Sequence, residues 1–216
     1  ADNAASKKIV YAANTGDIIN NDLVNPDATN TDGSLAYPGL NAQVDKENAF
    51  ATKEFKRLEG SGVVNQTIAG NHDDQVGAET GPNSRFSKAF SAASYYAQAQ
   101  AWPAGASYHA WDETTDADGK TTAEGSDNQN NYVLFSAGGL DFVAVGLSYG
   151  VTKAEADWAN SVFARYHDRN GILITHSYLA AATATNPDGR NVATTGDGSR
   201  LYQQVAAANP NVFLVL

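Results

Sequence analysis

The sequence has no cysteine, no methionine and only 6 prolines, and it is short of cations: 14 Lys and Arg stand against 24 Asp and Glu, for a formal charge of −10. Without cysteine there is no disulfide framework, no thiolate nucleophile and no thiolate-held zinc or iron–sulfur centre. Metal ligands would have to be His, Asp, Glu or Asn. The cation shortage excludes nucleic-acid binding through a basic patch, because the summed field repels polyphosphate. Lys53, Lys56 and Arg57 alternate with Glu47, Glu54 and Glu59 on an expected helix and read as a solvated face. No apolar run is long enough to cross a bilayer and no basic-then-apolar leader opens the chain, so no transmembrane segment is expected. A chain that begins with Ala, lacks Met and has loops rich in Asn, Asp, Thr, Gly and Ala reads as a piece of a longer, secreted or cell-surface polypeptide.

The 216 residues, 42% of them hydrophobic and 10% aromatic, suffice for a single buried-core domain. Ile9 to Tyr11 is a short apolar run of strand type, ending at Asn14-Thr15-Gly16-Asp17. Residues 20–41 read as surface loop, and Glu47 to Leu58 as a helix stopped by Gly60 and Gly62. Val63 to Ala69 is β-branched and runs straight into Gly70-Asn71-His72-Asp73. Arg85 to Gln100 reads as helix, and residues 112–131 as a polar acidic insertion. Tyr132 to Ser136 and Leu140 to Ser148 form a hairpin about Gly138-Gly139, and Lys153 to His167 is an amphipathic helix. Ile172 to Thr175 is a buried strand delivering His176; a helix over Leu201 to Ala208 and a strand over Val212 to Leu216 follow. Strands alternating with helices, plus one hairpin, predict an α/β fold with some antiparallel pairing.

Three strand ends therefore carry Asp17, the 70–73 segment and His176, and the loops beyond strand carboxyl ends are where such sheets place their functional groups. A carboxylate able to bridge two cations, an amide oxygen and an imidazole nitrogen form an O, O, N set suited to Mn, Fe or Zn. Two metals about 3.5–4 Å apart can bind a phosphate ester and acidify a water between them, with a nearby acid protonating the leaving group. His72 is placed to be that acid, and Asp73 to orient it. Taken singly, Asp17 after a Gly reads as a turn residue and His176 as a core histidine. Together with Gly70 to Asp73 they favour a metal site. His109 and His167 end no strand and read as structural.

Gly16-Asp17, then Gly70-Asn71-His72-Asp73, then Thr175-His176 before Ser-Tyr-Leu resemble, in order and spacing, the middle motifs of the calcineurin-like metallophosphoesterases. The segments from Asn131 to Leu147 and from Trp158 to Arg169 extend the resemblance to one bacterial branch of that family. It implies two mixed β-sheets packed as a four-layer sandwich flanked by helices. It also implies a dinuclear Mn, Fe or Zn centre in which Asp17 bridges the metals, Asn71 and His176 hold the second, and His72 with Asp73 serve the leaving group. The implied substrate is a phosphorylated small molecule or surface group. The family's opening Asp-x-His or Asp-x-Gln motif and closing Gly-His-x-His motif have no counterpart here. The expectation is thus one domain over residues 1–216 without its first and last motif segments, holding one metal or none.

Two rivals accompany this reading. Gly146-Leu147-Ser148-Tyr149-Gly150 spells a nucleophile elbow, with Asp157 or Asp168 and His176 as triad partners, although no HGGG-type oxyanion segment is present. A binding module of the same fold that has lost turnover is the other. Asp116-Ala117-Asp118-Gly119 resembles part of an EF-hand loop but lacks the acidic first and twelfth positions.

Overall fold

The computed structural model describes residues 3–111, 114–115, 121–122, 127–179 and 197–216. A short helix α1 (Ala4–Lys7) precedes β1 (Tyr11–Asn14), and a long loop leads to α2 (Leu40–Phe55). Next come β2 (Val64–Thr67), α3 (Arg85–Ala89), α4 (Ala92–Ala99), β3 (Ser107–Ala110) and two-residue strands β4 (Thr114–Thr115) and β5 (Thr121–Thr122). The hairpin β6 (Asn131–Ala137) and β7 (Leu140–Leu147), α5 (Lys153–Arg165), β8 (Asn170–Thr175), α6 (Asp197–Leu201) and β9 (Val212–Val215) complete the order.

The fold is mixed α/β with two principal sheets: a five-stranded sheet ordered β3-β6-β7-β8-β9 and the parallel pair β1-β2. In the larger sheet β3, β6 and β7 pair antiparallel, and β7, β8 and β9 pair parallel. The two-sheet class is the expected one, with the mixture of directions confined to the larger sheet among the described residues. The sheets face one another: Tyr11 stacks on Phe135 at 4.6 Å, and Val64, Ile68, Val133, Ala144, Ile172 and Ile174 share one core. Buried side chains of this kind contribute about 1.5–3 kcal/mol each. A methyl group at Gly146 would stand 2.7 Å from the Ile68 side chain and 2.8 Å from Gln66, so β7 meets β2 too closely for any larger residue.

Between the sheets Gln66 donates to Asn131 at 3.1 Å and accepts from the Tyr11 hydroxyl at 2.9 Å, while Asn131 donates to the Thr67 carbonyl at 2.9 Å. These buried amides are satisfied across the interface and set the register of one sheet on the other. The opposite face of the large sheet is covered by α5, which starts with a Thr152–Glu155 capping box and buries Ala156, Ala159, Val162 and Phe163.

The expected elements largely form, with local differences. The first strand starts at Tyr11 because the Ile9 N–H closes on the Ala4 carbonyl at 2.9 Å, ending α1, and Ile9 and Val10 stay exposed. The single helix expected over 85–100 is two, because the Ser91 side chain caps the Ser94 N–H at 3.3 Å and restarts it. Strand β3, a short segment between Pro103 and the polar 112–131 stretch, was not expected. The hairpin turn is as predicted, with Gly138 and Gly139 at φ 59° and 81°.

Candidate functional site

Strands β1 and β2 end side by side in the small sheet, and β8 ends in the large one, so the three loops that follow meet where the sheets abut. Asp17, Asn71 and His176 come together there. His176 Nε2 lies 2.9 Å from Asn71 Oδ1 and 3.4 Å from Asp17 Oδ1. Its Nδ1 lies 2.7 Å from the Thr15 carbonyl oxygen. A carbonyl only accepts, so Nδ1 carries the hydrogen and the Nε2 lone pair is turned toward the two side-chain oxygens. Nε2 and the two side-chain oxygens thus converge, an arrangement that a cation among them would satisfy.

Asp17 sits at φ 53°, a left-handed conformation uncommon outside glycine, and its side chain is 39% exposed. Its Oδ1 also accepts the His72 N–H at 3.1 Å, tying the first loop to the second. The Asn14 side chain accepts the Gly16 N–H at 2.8 Å and so shapes the turn. The Tyr149 ring stands edge-on to His176, 6.0 Å between centroids.

The convergence depends on two glycines. A methyl group at Gly16, where φ is 94°, would stand 2.5 Å from the Gly70 nitrogen and 2.8 Å from His176 Nδ1. One at Gly70 would overlap the Asp17 backbone nitrogen and carboxylate. Gly16→Ala and Gly70→Ala should each lower stability by about 2–4 kcal/mol in urea denaturation, through overpacking with added left-handed strain at Gly16. Gly33→Ala isolates the strain, because at φ 81° a methyl group there meets nothing within 4 Å. A cost at Gly16 and Gly70 no larger than at Gly33 would show that the close approach does not hold the loops.

His72 and Asp73 do not pair with each other. His72 Nδ1 meets the Asn20 carbonyl at 2.9 Å. Asp73 is buried and accepts three backbone N–H groups: Ile18 at 3.2 Å, Ile19 at 2.9 Å and Gly70 at 2.7 Å. It therefore clasps the first loop to the second. Burial, the largest influence, raises its pKa above the ordinary 3.8, against the pull of those donors. Glu47 on α2 does similar work at the surface, accepting Asn20 and Asn21 N–H at 3.0 and 3.1 Å.

Ser148 is buried. Its hydroxyl donates to the Gln129 carbonyl at 2.5 Å and accepts the Ala69 N–H at 2.8 Å, joining the end of β7 to the residues after β2. Asp157 pairs with Lys153 at 2.6 Å on the exposed side of α5, and His176 is committed to Thr15 and Asn71, so the triad does not assemble around these residues. His109 stacks on Tyr132 at 4.4 Å, a structural role. Residues 116–119, the EF-hand-like stretch, lie outside the described residues.

Among the described residues, no three His, Cys, Asp or Glu side chains are grouped closely enough to hold a metal ion. The confluence has two such residues, with the Asn71 amide as third donor. The roles of Thr15 and Asn20 escaped the sequence reading because both act through backbone carbonyls. Two cavities of about 560 and 530 Å³ flank α2; Ile18 and Ile19 line the second, which begins one residue beyond Asp17.

No family model matches the chain, and no solved structure matches it. The chain is 25% identical over 215 residues, its whole length, to "Uncharacterized protein YvnB" of Bacillus subtilis (strain 168), and it spans 13% of that protein's length.

Proposed function

We propose that the chain carries part of the active centre of a metal-dependent phosphoesterase of the calcineurin-like type. The observation supporting this reading is that Asp17, Asn71 and His176, remote in sequence, bring Oδ1, Oδ1 and Nε2 to one place with Nε2 within 2.9 and 3.4 Å of the two oxygens. That donor set fits a borderline divalent cation such as Mn, Fe or Zn. Asp17, Asn71 and His176 would hold one ion, and Asp17 would be shared with a second in a dinuclear centre. A metal bound there supplies Lewis-acid polarisation of a phosphoryl oxygen and a more acidic water.

The chain's own residues do the rest. Thr15 fixes the His176 tautomer, keeping Nε2 available. Asp73 and the Asp17–His72 backbone contact hold the two loops in register. His72, anchored through Nδ1 to Asn20, keeps Nε2 free to carry a proton to the departing alkoxide. The substrate would be a phosphorylated small molecule or surface group, and the setting secreted or cell-surface.

The test is hydrolysis of aryl phosphate mono- and diesters by the longest natural chain containing these residues, with metal analysis of the same sample. Turnover lost on chelation and restored by Mn, Fe or Zn is expected. Metal-replete protein that cleaves neither ester class would leave the binding-module reading in its place.

A further inference from the structure

The first of the two cavities beside α2 is cationic. Of the 14 Lys and Arg, four line its volume of about 560 Å³: Lys53 on α2, Lys56 in the turn that continues it, and Arg85 and Lys88 on α3. Positions 45, 49, 52, 53 and 56 recur with the helical period and share one face, whereas Lys46, Glu47, Phe50 and Glu54 line the other cavity. The Lys and Glu residues that alternate in sequence are therefore separated in space. Glu47 is taken by the Asn20 and Asn21 N–H groups and Glu54 by Arg57 at 3.1 Å, leaving Lys53 and Lys56 to the cleft.

Arg85 is divided among Asn41 at 2.6 Å, Asp27 at 3.5 Å and Glu79 at 3.7 Å. Among the described residues Lys53, Lys56 and Lys88 pair with no carboxylate, although Asp45 lines the same cavity and Glu59 the adjoining one. Like charges on neighbouring helical positions repel, and a chain of net charge −10 has carboxylates to spare for neutralising them. Three lysines gathered without one make a positive centre in a negative field, and its complement is an anion. The walls are already fixed: Arg85 of α3 donates to Asn41 of α2, and Phe90, which closes α3, meets Phe55 of α2 edge-on at 5.1 Å. A cavity of about 250 Å³ continues the cleft, and Lys56 and Lys88 border both.

Lysines that reach in from two helices suit an anion with charge at more than one point, as phosphoryl groups provide. The volume is that of a small-molecule site. No aromatic ring lines the larger cavity, so a nucleobase has nothing to stack on, while Asn48 and Thr52 offer hydrogen bonds to hydroxyl or phosphoryl oxygens. We propose that this cleft binds a small, non-aromatic anion carrying two or more phosphoryl groups, a linear oligophosphate or a doubly phosphorylated sugar, through Lys53, Lys56 and Lys88. The site is separate from the Asp17–Asn71–His176 confluence and does not rest on the phosphoesterase reading.

Isothermal titration calorimetry of metal-free protein with tripolyphosphate and with fructose 1,6-bisphosphate tests it. One equivalent of at least one of them should bind, roughly tenfold or more tighter than inorganic phosphate, and the tighter of the two identifies the source of the phosphoryl groups. Lys53→Gln combined with Lys88→Gln, both at exposed positions, should weaken binding by roughly tenfold or more through the loss of two charge-assisted contacts. Lys46→Gln, which removes one charge from the other cavity, and His176→Ala should both keep the parent affinity. The proposal is overturned if neither compound binds, if inorganic phosphate binds as tightly, or if the Lys53→Gln, Lys88→Gln protein binds like the parent. It is equally overturned if Lys46→Gln weakens binding as much as that pair, or if His176→Ala abolishes it.

Discussion

His176→Ala should strip the metal and reduce phosphoester hydrolysis by roughly a thousandfold or more, the equivalent of several kcal/mol of lost charge stabilisation. His72→Ala should lower turnover by about a hundredfold with metal content unchanged, the usual reach of a single general acid. The contrast follows from where each ring points. His176 gives Nδ1 to a backbone carbonyl and turns Nε2 to the oxygens of Asn71 and Asp17, so its removal takes a ligand away. His72 gives Nδ1 to Asn20 and has no contact with Asn71 or His176 that would make it a ligand partner. The two defects should also differ in substrate dependence. A nitrophenolate leaves without help, so His72→Ala should barely affect a nitrophenyl ester and should slow an alkyl ester strongly, whereas His176→Ala should slow both. Kinetics on the two esters with parallel metal analysis read this out. Equal losses for both variants on both substrates would remove His72 from the acid role.

The strand ends were legible because each couples a short β-branched run to an abrupt polar turn: Val64 to Thr67 into Gly70-Asn71-His72-Asp73, and Ile172 to Thr175 into His176. Long-range pairing was not legible. That β8 lies between β7 and β9, and that its end abuts those of β1 and β2, is decided by contacts such as Ile68 under Gly146, which no local pattern reports. The confluence could be expected only by treating three separate junctions as one site. Within it, the Thr15 and Asn20 carbonyls had no side-chain signal, since any residue supplies that group. Asp73 shows a second kind of limit: its identity suggested a partner for its neighbour His72, and only the fold turns its carboxylate toward the Ile18, Ile19 and Gly70 backbone. The burial of Asp22 and Asp74 was invisible for the converse reason. Each sits in Asn- and Asp-rich sequence that reads as solvent-facing loop, yet each is buried.

Asp73→Ala should destabilise the protein by about 3–5 kcal/mol, a large share of a typical domain's stability. The substitution leaves three N–H groups without an acceptor, each costing about 1–3 kcal/mol where water does not replace it. Asp73→Asn should cost less: its oxygen can face Ile18 and Gly70, which share Oδ2 in the parent, while its amide N–H group opposes Ile19. Protonation supplies a second signature. The Asp73 pKa is raised above 3.8 in the folded state, so the folded protein binds more protons than the unfolded one as pH climbs past that value, and this carboxyl's contribution to stability falls with rising pH until the folded value is passed. Asp22 and Asp74, raised to about 7 chiefly by burial, act with the same sign between about pH 4 and 7. Urea denaturation across that range, without divalent ions, should therefore show declining stability in the parent and a shallower decline in Asp73→Asn. A parent whose stability rises from pH 4 to 7 would mean that the N–H donors outweigh burial at these carboxyls, and an Asp73→Ala variant as stable as the parent would mean that the carboxylate does not clasp the two loops.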